Sequence, residues 1–125
     1  MEGYKVTIKE SSKELTARER IMFKDTTNAV KLDEAANGEE RLIITPAAYV
    51  ILNIHNEKSD NVDYENYIIV DKDGNKYVTG SGSFISAFME IWEEMKDEDE
   101  EYSIEVYKMD SKNYKGKQFL TCSIV

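Results

Sequence analysis

One cysteine, one proline, one histidine and one tryptophan stand among the 125 residues of this chain. A single thiol, Cys122, excludes an intrachain disulfide and fits a reducing, cytoplasmic compartment. With one histidine and one cysteine, a histidine-rich metal cluster and a paired-cysteine site are both excluded. Cys122 runs in phase with Leu120 and Ile124, which predicts a buried, inert thiol. His55, followed by Asn56, reads as a hydrogen-bonded residue at a strand end. Carboxylates are plentiful, but no spacing singles out an acid–base pair, so no enzyme, catalytic residue, metal or cofactor is expected. Long apolar runs are missing too. The longest, around Leu42–Leu52, is interrupted by Thr45 and Pro46 and is too short to span a membrane. The first residues, MEGYKVTIKESSKEL, lack an apolar core, which argues against secretion. Positive charge is also scarce, with 16 basic against 25 acidic residues and a net charge of −9. Taken whole, that balance argues against nucleic acid and anionic membranes as partners.

What is present supports one compact domain, since 125 residues with 41% apolar content can bury a core of ordinary size. The charge, however, is unevenly placed. Residues 93–101, EEMKDEDEE, carry seven acids and one lysine, a net of −6. Residues 102–125 carry four lysines against two acids and are net positive. The acidic run reads either as a solvated helix end and loop or as a device that keeps polyanions and other copies of the protein off one surface.

Local patterns place most of the elements. Tyr4–Lys9 alternates as a short strand, and Thr16 with Glu19 has the spacing of a capping box opening a helix that runs to about Lys24. Residues 25–41 hold no long element. Downstream of Pro46, Tyr49, Ile51 and Asn53 face one way and Val50, Leu52 and Ile54 the other. YENYIIV, Asp73-Gly74 and KYVT form a hairpin, and Asp71–Gly74 reads as its turn, because a calcium loop would need a glutamate at its twelfth position. Phe84, Phe88, Ile91, Trp92 and Met95 make one face of a helix. The small residues Thr79–Ser83 before it serve as a cap or, alternatively, as a phosphate cradle. Two alternating strands, YSIEVY and FLTCSIV, close the chain.

This order predicts a mainly β fold with one amphipathic helix. It is compatible with a five-stranded OB-like barrel whose helix lies between strands three and four. The barrel would occupy mostly residues 29–125, with an N-terminal extension over 1–28, and Ala29–Leu32 or Arg41–Thr45 would supply its first strand. A generic α+β sheet with one packed helix shows the same pattern. In the terminal hairpin Tyr107 and Phe119 fall on the wetter face. Between them KMDSKNYKGK holds four lysines, one aspartate and Tyr114. Rings for bases and cations for phosphates are what single-strand binding requires. A solvated lysine-rich loop has the same composition.

The runs DNVDYENYIIVDKDGNKYVTGSGSF, ISAFMEIWEEM and IEVYKMDSKNYKGKQFLTCSI resemble single-stranded DNA-binding proteins of phages that infect Gram-positive bacteria. The resemblance covers about residues 15–125 and is densest over 60–125. It implies an OB-type fold that coats single-stranded DNA with little sequence preference during phage replication or recombination, in the host-cell cytoplasm. The site residues it implies are Tyr107, Lys108, Lys112, Tyr114, Lys115, Lys117 and Phe119. Tyr49, Tyr67, Lys76 and Tyr77 are further candidates on strands whose faces the sequence leaves ambiguous. Many single-strand binders end in an acidic tail that recruits partners. This sequence ends in a strand and carries its acids internally. Single-stranded DNA is thus the expected partner, self-association and replication proteins are secondary ones, and no membrane is expected. The competing expectation is an acidic protein-binding module, or a DNA mimic that inhibits a host enzyme.

Overall fold

A computed structural model of the chain describes residues 3–36, 41–111 and 116–125. Strand predominates. The order is β1 (Tyr4–Ser11), α1 (Ala17–Lys24), β2 (Val30–Lys31), α2 (Leu32–Ala35), β3 (Leu42–Ile44), β4 (Pro46–Asn56), β5 (Asp63–Asp71), β6 (Lys76–Thr79), α3 (Gly82–Met95), β7 (Ile104–Asp110) and β8 (Gln118–Ile124). The strands form a five-stranded sheet ordered β1-β4-β5-β6-β2 and a three-stranded sheet ordered β3-β7-β8, with no closed barrel among the described residues. The mainly β expectation holds, and so does the amphipathic helix. The strand count differs, because α3 follows a sixth strand: β1, set apart in the sequence reading, and the two-residue β2 both pair into the larger sheet. No helix among the described residues is long and apolar enough to cross a membrane.

The chain divides into two compact units, one of Met1–Val30 with Ala47–Gly80 and the other of Lys31–Pro46 with Ser81–Val125. In the first unit β1 runs antiparallel to β4, Val6 opposite Ile54 and Ile8 opposite Leu52. Val50, Leu52, Ile54, Ile68 and Val78 form the core with Phe23 from α1, and Val6 and Ile8 pack against it. Residues 4–24, expected within an N-terminal extension, therefore supply part of this core. The alternation of β4 is as read from the sequence: Val50, Leu52 and Ile54 face the core cluster, while Asn53 on the other side is exposed. A bulge between Ile8 and Glu10 interrupts the register of the edge strand β1.

Local hydrogen bonds fix the ends of the elements in this unit. Thr16 caps α1 through a reciprocal box, the Glu19 amide donating to Thr16 Oγ1 at 3.2 Å and the Thr16 amide to Glu19 Oε1 at 3.1 Å. At the other end of α1, Lys76 Nζ donates to the carbonyls of Met22 and Asp25, at 2.8 Å each. The β5–β6 turn is organised by Asp71, whose Oδ1 accepts from the amides of Asp73 at 3.0 Å and Asn75 at 2.8 Å. Gly74 takes a φ of +88° there, a conformation that favours glycine. Burial pushes the Asp71 carboxyl up, but the hydrogen bonds from Asn75, Tyr77 and Asp73 outweigh it and hold the group below its usual 3.8.

In the second unit Ser81 caps α3, accepting from the Phe84 amide at 3.2 Å. Phe84 and Phe88 are fully buried, and the stack continues from Phe88 to Trp92 with ring centroids 5.9 Å apart. Ser83 Oγ donates to the Leu120 carbonyl at 2.7 Å, fastening α3 to β8. Ile44, Ile104, Val106, Leu120 and Cys122 bury the inward side of the three-stranded sheet. Burial raises the Cys122 thiol to about 12, which makes it the inert thiol the sequence implied.

Candidate nucleic-acid interface

The side of the three-stranded sheet away from that core follows from the period-two geometry of its strands. Val106 pairs with Cys122 and both are buried, so their neighbours point outward: Glu105 opposite Ser123, Tyr107 opposite Thr121, Met109 opposite Phe119. On β3, Ile43 lies opposite Glu105 and extends the same surface. Phe119 is 37% exposed and Met109 46%, so an apolar cross-strand pair stands open to solvent.

Tyr107 sits two pairs further in. Its hydroxyl shares a 2.6 Å hydrogen bond with Ser123 Oγ. The guanidinium of Arg41 lies over this ring, its Cζ 4.3 Å from the centroid. Arg41 also bonds Glu105 Oε2 through Nη1 at 2.9 Å. The outward face thus carries an aromatic row, one arginine on a ring and one carboxylate holding that arginine. Such a surface can stack planar groups and offer a bidentate cation to a phosphate.

The residues expected from the sequence are distributed unevenly around it. Tyr107 and Phe119 share the outward face, two pairs apart along the strands. Lys108, expected in the connecting loop, belongs to β7, which runs on to Asp110. The register turns Lys108 to the Leu120 side, and its Nζ donates to the Asp33 carbonyl at 2.7 Å. Lys117 is exposed just before β8, its carbonyl accepting from the Ser111 amide at 2.9 Å. Lys112, Tyr114 and Lys115 lie outside the described residues.

The candidates in the first unit are placed differently. Tyr49 is 6% exposed with its hydroxyl on Glu10 Oε2, and Tyr67 is 9% exposed with its hydroxyl on Glu65 Oε1. Tyr77 is half-buried and bonds Asp71 Oδ2 at 3.1 Å, and Lys76 is the cap of α1 described above. The rings of Tyr49 and Tyr67 are closed in, and the three hydroxyls and the Lys76 ammonium are engaged within the fold.

Arg41, Ile43, Met109 and Glu105 complete the outward face and were not singled out in the sequence. The signal for the first two was Arg41–Thr45 as a candidate strand, since alternation from Ile43 would have set Arg41 on the same side. The first unit also carries a cleft of about 570 Å³ lined by Lys5, Thr7, Asn53, His55, Asp63 and Glu65, among others. Two of its carboxylates are engaged: His55 Nδ1 lies 2.8 Å from Asp63, and Lys9 Nζ lies 2.5 Å from Glu65. The hydrogen bond with Asp63 raises the His55 pKa above its usual 6.5. His55 is the hydrogen-bonded strand-end residue expected. No protein-family model, curated protein or solved structure matches the chain.

Proposed function

We propose that this chain binds single-stranded DNA with little sequence preference, laying bases on the outward face of the β3-β7-β8 sheet. The observation that carries the reading is the exposed Met109–Phe119 pair beside Tyr107, with Arg41 resting on the tyrosine ring. Phe119 and Tyr107 act as stacking platforms, and Arg41, released from the ring by an incoming base, turns to the phosphate. Glu105 holds Arg41 when no strand is bound, so the face does not present an uncompensated cation. Lys117, with Lys112 and Lys115 of the connecting loop, supplies further phosphate contacts. Coating of exposed strands in phage replication or recombination is the role that the sequence resemblance adds. An OB-like arrangement belongs to the same proposal, supported by the two strand pairs β5–β6 and β7–β8 on either side of α3 in the chain.

Each stacked base is worth about 1–3 kcal/mol, so two rings can outweigh a net-negative protein whose distant charges are screened beyond about 8 Å. The test is fluorescence anisotropy of a labelled oligo-dT at low salt. Saturable binding is expected, weakening with salt along a slope of about −0.7 for each phosphate neutralised. No binding up to tens of micromolar overturns the proposal. That result would instead favour the acidic protein-binding reading, for which the exposed run Asp97–Glu101 is the available surface.

A further inference from the structure

Two helix faces lie outside the proposed interface, and their charges are opposite. On α1 the buried residue is Phe23, so at 100° per residue the outward side carries Ile21, with Arg18 three residues before it and Lys24 three after. Ile21 is 71% exposed and the adjacent Met22 is 54% exposed. Folding leaves an apolar side chain in water here with cations on both sides. On α3 the buried side is Phe84 and Phe88, and the opposite side holds a shallow depression of about 630 Å³. Its lining is Ser86 and Met89 with the three carboxylates of Glu90, Glu93 and Glu94. Glu93 is held by Lys96 Nζ at 2.9 Å, and Glu90 and Glu94 are exposed.

Each face has what the other needs: an apolar side chain between cations, and a shallow surface where Met89 lies among three carboxylates. We propose that α1 of one copy docks on the α3 depression of a second copy, Ile21 seating beside Met89 while Arg18 and Lys24 face Glu90, Glu93 and Glu94. The partner is therefore this chain itself. The two faces are different, so the contact is heterologous. A docked pair keeps one unused face of each kind, and association continues head to tail into a ring or an open chain. The contact needs no nucleic acid and does not depend on the DNA-binding proposal.

Sedimentation velocity of the full chain at low salt is expected to show concentration-dependent association that weakens as salt screens the rim charges. R18E/K24E and E90K/E93K/E94K, each measured alone, should associate at least about tenfold more weakly, because like charges then meet across the contact. Mixing the two variants restores opposite charges at both faces and should recover association. That recovery also shows both variants to be folded. A wild-type protein that stays monomeric at low salt over the whole concentration range overturns the proposal, as does a mixture no better than its components. Oligo-dT binding measured on the same samples keeps the two proposals apart: its loss with association intact strikes only the DNA-binding reading.

Discussion

Both units carry aromatic side chains on their strands, and the two sets are held in opposite ways. In the first unit Tyr49, Tyr67 and Tyr77 each bond a carboxylate through the hydroxyl, and their rings are buried or half-buried. In the second, Phe119 has no polar tip to be held, and half-buried Tyr107 bonds a serine while its ring face meets an arginine that Glu105 holds. The first set uses tyrosine as an amphipathic brace, apolar body inward and oxygen on an acid. The second set lies on the outward face, Phe119 exposed and Tyr107 beneath Arg41. A count of aromatics therefore says little about a stacking site until burial and hydroxyl partners are known.

The sharpest way to break this contrast is to remove rings from each set. Y107A/F119A is expected to lose about 2–6 kcal/mol of oligo-dT affinity, the worth of two stacked bases. Y49A and Y67A should leave affinity within about twofold, since their rings are buried and the cost of removing them falls on stability. Equal losses in both sets, read by anisotropy, would erase the distinction.

A smaller effect concerns the first unit alone. D71A removes the acceptor for the turn amides and the Tyr77 hydroxyl, and should cost about 2 kcal/mol in urea unfolding without altering DNA affinity. Because the folded carboxyl sits below its usual 3.8, its stabilisation is full above that value and is lost as pH falls through the lower folded one. D71A should therefore flatten the acid limb of the stability profile.

The second unit offers a change of opposite sign. The Tyr102 hydroxyl is buried without a hydrogen-bond partner among the described residues. Y102F should raise stability by about 1 kcal/mol, and a lower melting temperature would show that the hydroxyl has a partner after all. The smallest effect is at His55. Its raised pKa means that stabilisation by the pair with Asp63 is present below 6.5 and is lost as pH rises through the higher folded value. D63N should weaken this alkaline-side decline, and an NMR titration of the imidazole should then move down toward the ordinary midpoint, with Glu57 still nearby.

Features that depend on near neighbours were legible in the sequence. The Thr16–Glu19 box, the Asp71–Gly74 turn, a cap from the small residues Thr79–Ser83 and the start of the α3 stripe at Phe84 and Phe88 each rest on residues a turn or two apart, and each formed as read. Pairing between distant segments was not legible. Nothing local tells β1 that it will lie on β4, some forty residues on, or brings Arg41 beside Tyr107. The assignment of Lys108 failed for a related reason. Its charge and lysine-rich neighbours suggested loop, whereas register with Leu120 made it a strand residue whose ammonium reaches a carbonyl. For the rings, strand alternation predicted the faces of Tyr107 and Phe119 correctly. It could not tell that both sides of β4 and β5 would be covered, as buried Tyr49, Val50, Tyr67 and Ile68 show.

The buried thiol of Cys122 has a practical consequence. It is the sole cysteine, it lies on the inward side of β8 beneath α3, and at about 12 its pKa leaves almost no thiolate at neutral pH. Alkylating reagents can reach it only when the second unit opens, so the labelling rate in native buffer is a clock for that opening. The first unit contributes no competing signal. Whether a bound DNA strand or a docked second copy slows the clock can then be read from one residue, without any introduced probe.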